Sequence, residues 1–326
     1  MTVEKSLEVL KILLSLLYAE RFKILFQLYL YHIFFLFNNK EKNFFFLKKA
    51  LKVKFLKKIG IIIDNYHLKY KVADFLKYLK SKADVRIYVE ESFLLNSENL
   101  NFDEDLFFVK AKGDLVLTFI KLLEEQTSIP VINSYKGTWL AINRFLNSVY
   151  LKKAGIPIPD FSLNPKGIIP PFRDYIIKNI IDQKNYKFKP VVHKENGQLR
   201  VADERALDEV DKTDPKYNYL YYQKFIKSKW EYKIYGIGDE IYFFKQLPIL
   251  VNPNKMESRR EIDEISELKE YCYKAMEVMD LKLTSLDFLK SKEQFFLTDI
   301  NCTPNFNYIK DGHKIVADFL LKQAKK

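Results

Sequence analysis

The sequence predicts a mixed α/β (α+β) protein: an open, mostly parallel α/β unit followed by a half built from antiparallel hairpins. Two observations predict this. From residue 57 to about 161, short apolar runs bounded by charges alternate with segments of helical apolar spacing, the pattern of strands joined by crossover helices. Beyond residue 230 the chain changes to strand pairs around tight turns, one at Gly238-Asp239 and one in the polar stretch 290–294. A composition 48% hydrophobic and 29% charged leaves ample apolar surface for a buried core.

KKIGIII (57–63) is a short apolar run between charges and reads as a buried strand. The loop after it, DNYHLK, lacks the GxGxxG fingerprint, so no dinucleotide pyrophosphate site is expected there. YKVADFLKYLKSK (70–82) has helical spacing, VRIYVE (85–90) and DLFFVKA (105–111) read as strands, DLVLTFIKLLEEQ (114–126) as a helix and PVINS (130–134) as a strand. GTWLAINRFLNSVYLKKAGIPIPDF (137–161) is expected to be helical up to Gly155, with Pro157 and Pro159 beyond the stop. The next stretch is expected to hold a helix around 171–183 and strands near 186–192, 198–203 and 219–226. EYKIYGIGDEIYFFKQLP (231–248) is a hairpin, ISELKEYCYKAMEVMD (265–280) an amphipathic helix, LTSLDFLKSKEQFFLTDIN (283–301) a second hairpin, and HKIVADFLLKQAKK a C-terminal helix.

Residues 1–58 carry eleven Lys and one Arg against four Glu, most of the net +12. A nucleic-acid groove would spread its basic residues through the folded body, so no nucleic-acid partner is expected. The uncharged run 24–39 has an apolar part of 14 residues, short of the ~20 that a spanning helix needs. Segment 1–56 reads as amphipathic helices packed on the body or a partner, as a basic, aromatic-rich helix on a membrane surface, or as an extension outside the fold. Two cysteines, Cys272 and Cys302, and four scattered histidines show neither disulfide nor zinc spacing, and the chain is expected to be cytoplasmic.

The chemistry is expected in the last hairpin. In a strand, residues i and i+2 share a face, so Asp299 and Asn301 point together. The turn midpoint near 292–293 sets Asp287 roughly opposite Asp299. Two facing acids repel unless something neutralises them, and a hard cation such as Mg²⁺ takes this oxygen set. A nucleotide phosphate accompanying such a cation would need basic partners; Lys189, Lys194, Lys233 and Lys245 are candidates.

Several motifs in order resemble the ATP-grasp superfamily, most closely the RimK-like glutamate ligases and the related inositol phosphate kinases, over about residues 57–326. VINSYKGTWLAINRFLNSVYLKKAGIPIP is similar to the approach to the nucleotide domain, YYQKFI to the linker that receives adenine, EYKIYGIGDEIY to a hairpin with paired acid and base, and SLDFL…FFLTDINCTP to the metal signature. Beyond the basic, aromatic-rich helical extension at 1–56, the resemblance implies a pre-ATP-grasp α/β domain at 57–143, a small lid subdomain at 144–222 and a C-terminal subdomain with the metal site at 223–326.

It implies ATP and Mg²⁺ (or Mn²⁺) as cofactors, with Asp287, Asp299 and Asn301 as metal ligands. Arg144 stands at the first nucleotide lysine and Lys189 at the second; Gln223, Lys224, Phe225 and Ile226 form the adenine linker. Glu231 and Lys233 take the acid and base positions, and Lys233 and Lys245 hold the acyl phosphate or anionic substrate. The implied reaction joins a small-molecule or peptide carboxylate to an amine. Two alternatives stand beside it: a small-molecule, inositol phosphate-like kinase, and a non-catalytic nucleotide-binding protein, the latter because the lid loop HKENGQLRVAD has one glycine.

Overall fold

The computed structural model describes residues 56–96, 100–165, 168–182, 191–193, 219–248 and 255–324. These belong to one compact unit spanning Leu56–Lys326. The expected extension before residue 56, the lid loop, the strand at 198–203, and Lys189 and Lys194 lie outside the described residues. Among the described residues no helix is long and apolar enough to cross a membrane.

The first sheet is parallel. Its strands are β1 (Lys58–Ile63), which leads through helices α1 (Asn65–Tyr70) and α2 (Ala73–Lys80) to β2 (Asp84–Val89), then β3 (Leu106–Lys110), helix α3 (Asp114–Gln126) and β4 (Val131–Ile132). The order is β2-β1-β3-β4. Ile59, Ile61, Ile62 and Ile63 are all buried, as a strand covered on both faces requires. The DNYHLK segment, expected as a loop, is α1. Asp64 caps it, accepting the His67 N–H at 2.8 Å, which satisfies one of the orphan donors of the first turn.

The helix expected over 137–161 is two helices, α4 (Tyr135–Ile142) and α5 (Arg144–Lys153). Asn143 leaves the helical region at φ −87° and ψ 100°, and its side chain accepts the Leu146 N–H at 3.0 Å to start α5. Gly155 stops the helix at φ +79°, as expected. The second sheet joins β5 (Phe161–Pro165), β6 (Tyr175–Lys178), β7 (Val191–His193) and β8 (Tyr219–Lys224), antiparallel in the order β5-β8-β6-β7. The helix expected around 171–183 is therefore corrected to strand β6. Pro170 and Pro171 block helix growth before it, and Ile176 and Ile177 are β-branched residues paired on β8.

The third sheet contains β9 (Glu231–Ile237), β10 (Glu240–Gln246), β11 (Arg260–Glu261), β12 (Leu283–Ser291) and β13 (Gln294–Asn301), in the order β11-β10-β9-β12-β13. Helix α6 (Ser266–Met279) precedes β12, and α7 (Gly312–Gln323) closes the described chain. Strand alternation divides this sheet. Ile234, Phe243, Leu286, Phe288, Leu297 and Ile300 share a core with Leu268, Cys272 and Met276 of α6. The approach is close enough that a Cβ on Gly236 would lie 2.3 Å from the Met276 Sδ. On the other face, Tyr235, Ile237 and Leu283 pack with Val316 and Leu320 of α7 and with the first sheet.

Two polar side chains of the first sheet hold the ends of the β12–β13 hairpin. Buried Asn133 donates to the carbonyls of Leu283 and Cys302 at 2.8 Å each and accepts the N–H groups of Lys282 (2.8 Å) and Leu283 (3.0 Å). Asn133→Ala strands these backbone groups, and the expected loss is about 2–4 kcal/mol, read as a lower midpoint in chemical denaturation. Lys110, equally buried, donates to the carbonyls of Thr303 (2.9 Å) and Pro304.

Burial pulls the Lys110 ammonium from 10.5 down to about 7. The unfolded chain then binds more protons than the folded one above pH 7, so stability rises with pH. The clean window ends near pH 8.5, where cysteines titrate in the unfolded chain; burial holds Cys272 and Cys302 protonated up to about 12 and about 11 in the fold. Between pH 7 and about 8.5 the expected gain from Lys110 is about 1–2 kcal/mol, and Lys110→Met should flatten it. Urea titrations of both chains at the two pH values check this.

Candidate active site

The register places the expected carboxylates directly opposite one another. Asp287 of β12 pairs with Asp299 of β13 on one side and with Lys233 of β9 on the other. Thr298 is an extra residue in β13, and the register shifts between Asp287 and Phe288. That bulge resets the alternation so that Asp287 and Asp299 share a face. Asn301 follows opposite Ser285 on the same face. A row Lys233–Asp287–Asp299 thus runs across three adjacent strands. Lys233 and Asp287 form an ion pair with little exposure of either side chain. Burial alone would lower the Lys233 pKa, but the Asp287 charge and hydrogen bond, together with Tyr235 and Glu231, outweigh it and hold the ammonium above its ordinary value.

Asp299 lines a narrow cleft. Its walls are Leu297–Ile300 of β13, the β6–β8 face carrying Lys178, Tyr221 and Gln223, and Arg144 and Ser148 of α5. Lys178 is buried and donates to the Thr298 carbonyl at 2.7 Å. Burial lowers its pKa, with Asp299 acting the other way. Arg144 donates to the Asn179 carbonyl (3.0 Å) and the Asp182 carboxylate (2.8 Å), and its Nε lies 3.9 Å from Asp299. Tyr221 is hydrogen-bonded to Ser148 at 2.7 Å and to Gln223 at 3.3 Å, and burial pushes its hydroxyl up to about 12. The Ser148–Tyr221–Gln223 cluster is polar and hydrogen-bonded within itself.

The structure brings together Arg144, Gln223, Lys233, Asp287 and Asp299, with Asn301 at the end of the row. Glu231 lies on the same face, buried, accepting from Gln246. Lys224 ends β8 turned outward, ion-paired to Asp160 at 2.9 Å. Phe225 and Ile226 follow the strand, the Phe225 N–H donating to the Asp174 carbonyl at 2.6 Å. Lys245 is not brought to the site. Lys233 pairs with Phe244, so Lys245 alternates to the opposite face, where it lies 5.4 Å from the Trp230 ring.

Three residues escaped the sequence reading. Lys178 was hidden in a segment read as helix; the Ile176-Ile177 pair after two prolines was the available signal. Asp182 follows from the same segment. Arg259 donates to Gln246 (2.6 Å) and Tyr235 (3.2 Å) and lies 4.0 Å from the Tyr308 ring; no local pattern marks it.

Among the described residues, no group of three or more His, Cys, Asp and Glu is drawn together, so a cation site here rests on two carboxylates and an amide. That donor set suits a hard cation that keeps water and phosphate ligands. The Asn301 Oδ1 accepts the Thr303 N–H at 2.9 Å and faces the Thr303 hydroxyl at 3.3 Å. Rotation of that hydroxyl frees a lone pair for ligation.

A sheet face with paired acids is closed over by a second antiparallel sheet carrying the buried Lys178. Solved structures give that architecture a name. The RimK domain ATP-grasp protein from Sphaerobacter thermophilus superposes with a TM-score of 0.62 at 12% identity, covering 81% of this chain and 99% of that one. The D-alanine–D-alanine ligase of Bacillus anthracis, solved with ATP, gives 0.60 at 13% identity, covering 82% and 97%. The chain has the ATP-grasp fold. Its sequence is 24% identical over 268 residues to the α-aminoadipate–LysW ligase LysX of Saccharolobus solfataricus, covering 73% of this chain and 90% of that protein. No family model matches the sequence.

Proposed function

We propose that this protein is an ATP- and Mg²⁺-dependent carboxylate–amine ligase that works through an acyl phosphate. The observation that carries the reading is Asp299, paired with Asp287 in the Lys233–Asp287–Asp299 row and lining one cleft with Lys178 and Arg144. The ATP-grasp fold and the ligase names of LysX and of the Bacillus anthracis protein support it.

Asp287, Asp299 and Asn301 would hold the cation, Mg²⁺ or Mn²⁺, which when bound neutralises charge on the β- and γ-phosphates. Gln223 and the Lys224–Ile226 backbone would receive adenine. Lys178 and Arg144 would stabilise the charge that develops as the γ-phosphoryl group moves, in a cleft where burial strengthens each contact. A substrate carboxylate oxygen attacks the γ-phosphorus and ADP leaves. An amine nitrogen then attacks the acyl carbon; phosphate departs with the former carboxylate oxygen, and the nitrogen loses a proton as the amide forms. Lys233, kept cationic by Asp287, would hold the acyl phosphate. The partners are a small-molecule or peptide carboxylate and an amine, and no nucleic acid is involved.

The test is product dependence. Candidate acids and amines are supplied separately and together, with ADP release followed and the substrate carboxylate labelled with ¹⁸O. The reading expects ADP only when both are present and the label in the released phosphate. ADP formed with a phosphorylated hydroxyl and no amine requirement would make the protein a kinase instead.

A further inference from the structure

The guanidinium of Arg144 is gripped on one side and open on the other. Its two terminal nitrogens donate to the Asn179 carbonyl (3.0 Å) and to Asp182 (2.8 Å). Its Nε–H is buried and has no hydrogen-bond partner among the described residues. Asp299, with its Oδ1 3.9 Å from the Nε, is beyond hydrogen-bond range. A buried unpaired donor is costly, and this one faces the wall of the cleft where the proposed cation site lies.

Asp182 is itself fixed in place. The Arg144 N–H donates to the Ile180 carbonyl and the Asp182 N–H to the Ile142 carbonyl, both at 2.8 Å. The segment after β6 is thereby stitched to the break between α4 and α5. On its other side Asp182 is ion-paired to Lys112, just beyond β3. Burial alone would raise the Asp182 pKa, but the Lys112 and Arg144 charges hold it well below the ordinary carboxylate range.

We infer that Asp182 is a positioning residue: it turns the planar Arg144 guanidinium so that the Nε–H edge meets an anionic phosphate oxygen of the bound nucleotide. The inference rests on the proposed function. It gives a physical reason for an arginine at this place. A lysine ammonium is a point charge that needs no orienting, whereas a guanidinium donates only in its own plane. Asp182 supplies the second hold that fixes the plane.

The sign of the effect separates orientation from charge. Asp182 is an acid near the place of a polyanion, so removing its charge would by electrostatics alone tighten nucleotide binding. Loss of orientation weakens it instead. The experiment is calorimetric titration of a non-hydrolysable ATP analogue with Mg²⁺ into the full chain and into Asp182→Asn, Arg144→Met and the double variant, with thermal melts beside each. The expected result is about tenfold weaker binding for Asp182→Asn, the worth of one charge-assisted hydrogen bond. On the Arg144→Met background the same change should alter binding by less than about twofold, since two residues acting through one contact are not additive. Should Asp182→Asn fail to fold, Asp182→Glu keeps the charge and displaces it, and the same pattern is expected with a smaller effect.

Unchanged or tighter binding in the Asp182 variant, or a full effect on the Arg144→Met background, overturns the inference. If the parent chain itself does not bind the Mg²⁺–ATP analogue, the proposed function falls and takes the inference with it; a binding parent with an indifferent Asp182 variant refutes the inference alone.

Discussion

Replacing Asp299 with alanine is expected to lower ADP formation by about a thousandfold, the scale on which removal of one key electrostatic partner acts, while leaving the fold in place. The side chain is 43% exposed, and its charged neighbour, the Arg144 Nε, is 3.9 Å away. Removing it opens no cavity and breaks no close ion pair, so the stability change should stay within about 0.5 kcal/mol. Steady-state ADP release and a melting curve on the same preparation measure both quantities. A variant that turns over ATP as the parent does would remove Asp299 from the cation site.

Asp287→Ala should behave differently, although the two acids face each other. Asp287 neutralises Lys233, and both side chains are largely buried, at 16% and 15% exposure. Taking the acid away leaves an unpaired charge, expected to cost about 3–5 kcal/mol. The raised Lys233 pKa sets the pH range. The pair's contribution is present below 10.5 and is lost as pH rises through the elevated value. Asp287→Leu combined with Lys233→Met should recover most of the stability, because apolar residues of similar volume replace a buried pair at little cost. It should not recover activity. Denaturant midpoints for the parent, single and double variants check this. A single Asp287→Ala as stable as the parent would show that the pair does not hold the sheet.

The hairpin that carries the candidate site was readable because its information is local. The turn near 292–293 sets Asp287 roughly opposite Asp299, and the extra residue Thr298, which no local pattern marks, makes the pairing direct. Strand alternation separates Lys233 from Lys245, since the turn at Gly238 pairs Lys233 with Phe244. Lys245 was grouped with the site on charge and order alone, which ignores the face. The parallel strands β1 and β3 were legible as buried apolar runs. Lys178 was not, because four residues of strand between loops carry too little periodicity to outweigh a helical reading, and the partner strand β8 lies some forty residues on. Asp182 and Arg259 act through contacts between distant segments, Lys112 with Asp182 and Tyr308 with Arg259. No local pattern encodes those.

The central claim is that one sheet face holds the cation and the opposite wall holds the phosphates. A crystal structure of the full chain with Mg²⁺ and a non-hydrolysable ATP analogue tests it most directly. The account predicts a cation bound by Asp287 and Asp299, with the γ-phosphate between it and the Lys178 and Arg144 side chains. A nucleotide bound with its phosphates away from these four residues, or a cation held elsewhere, would contradict it.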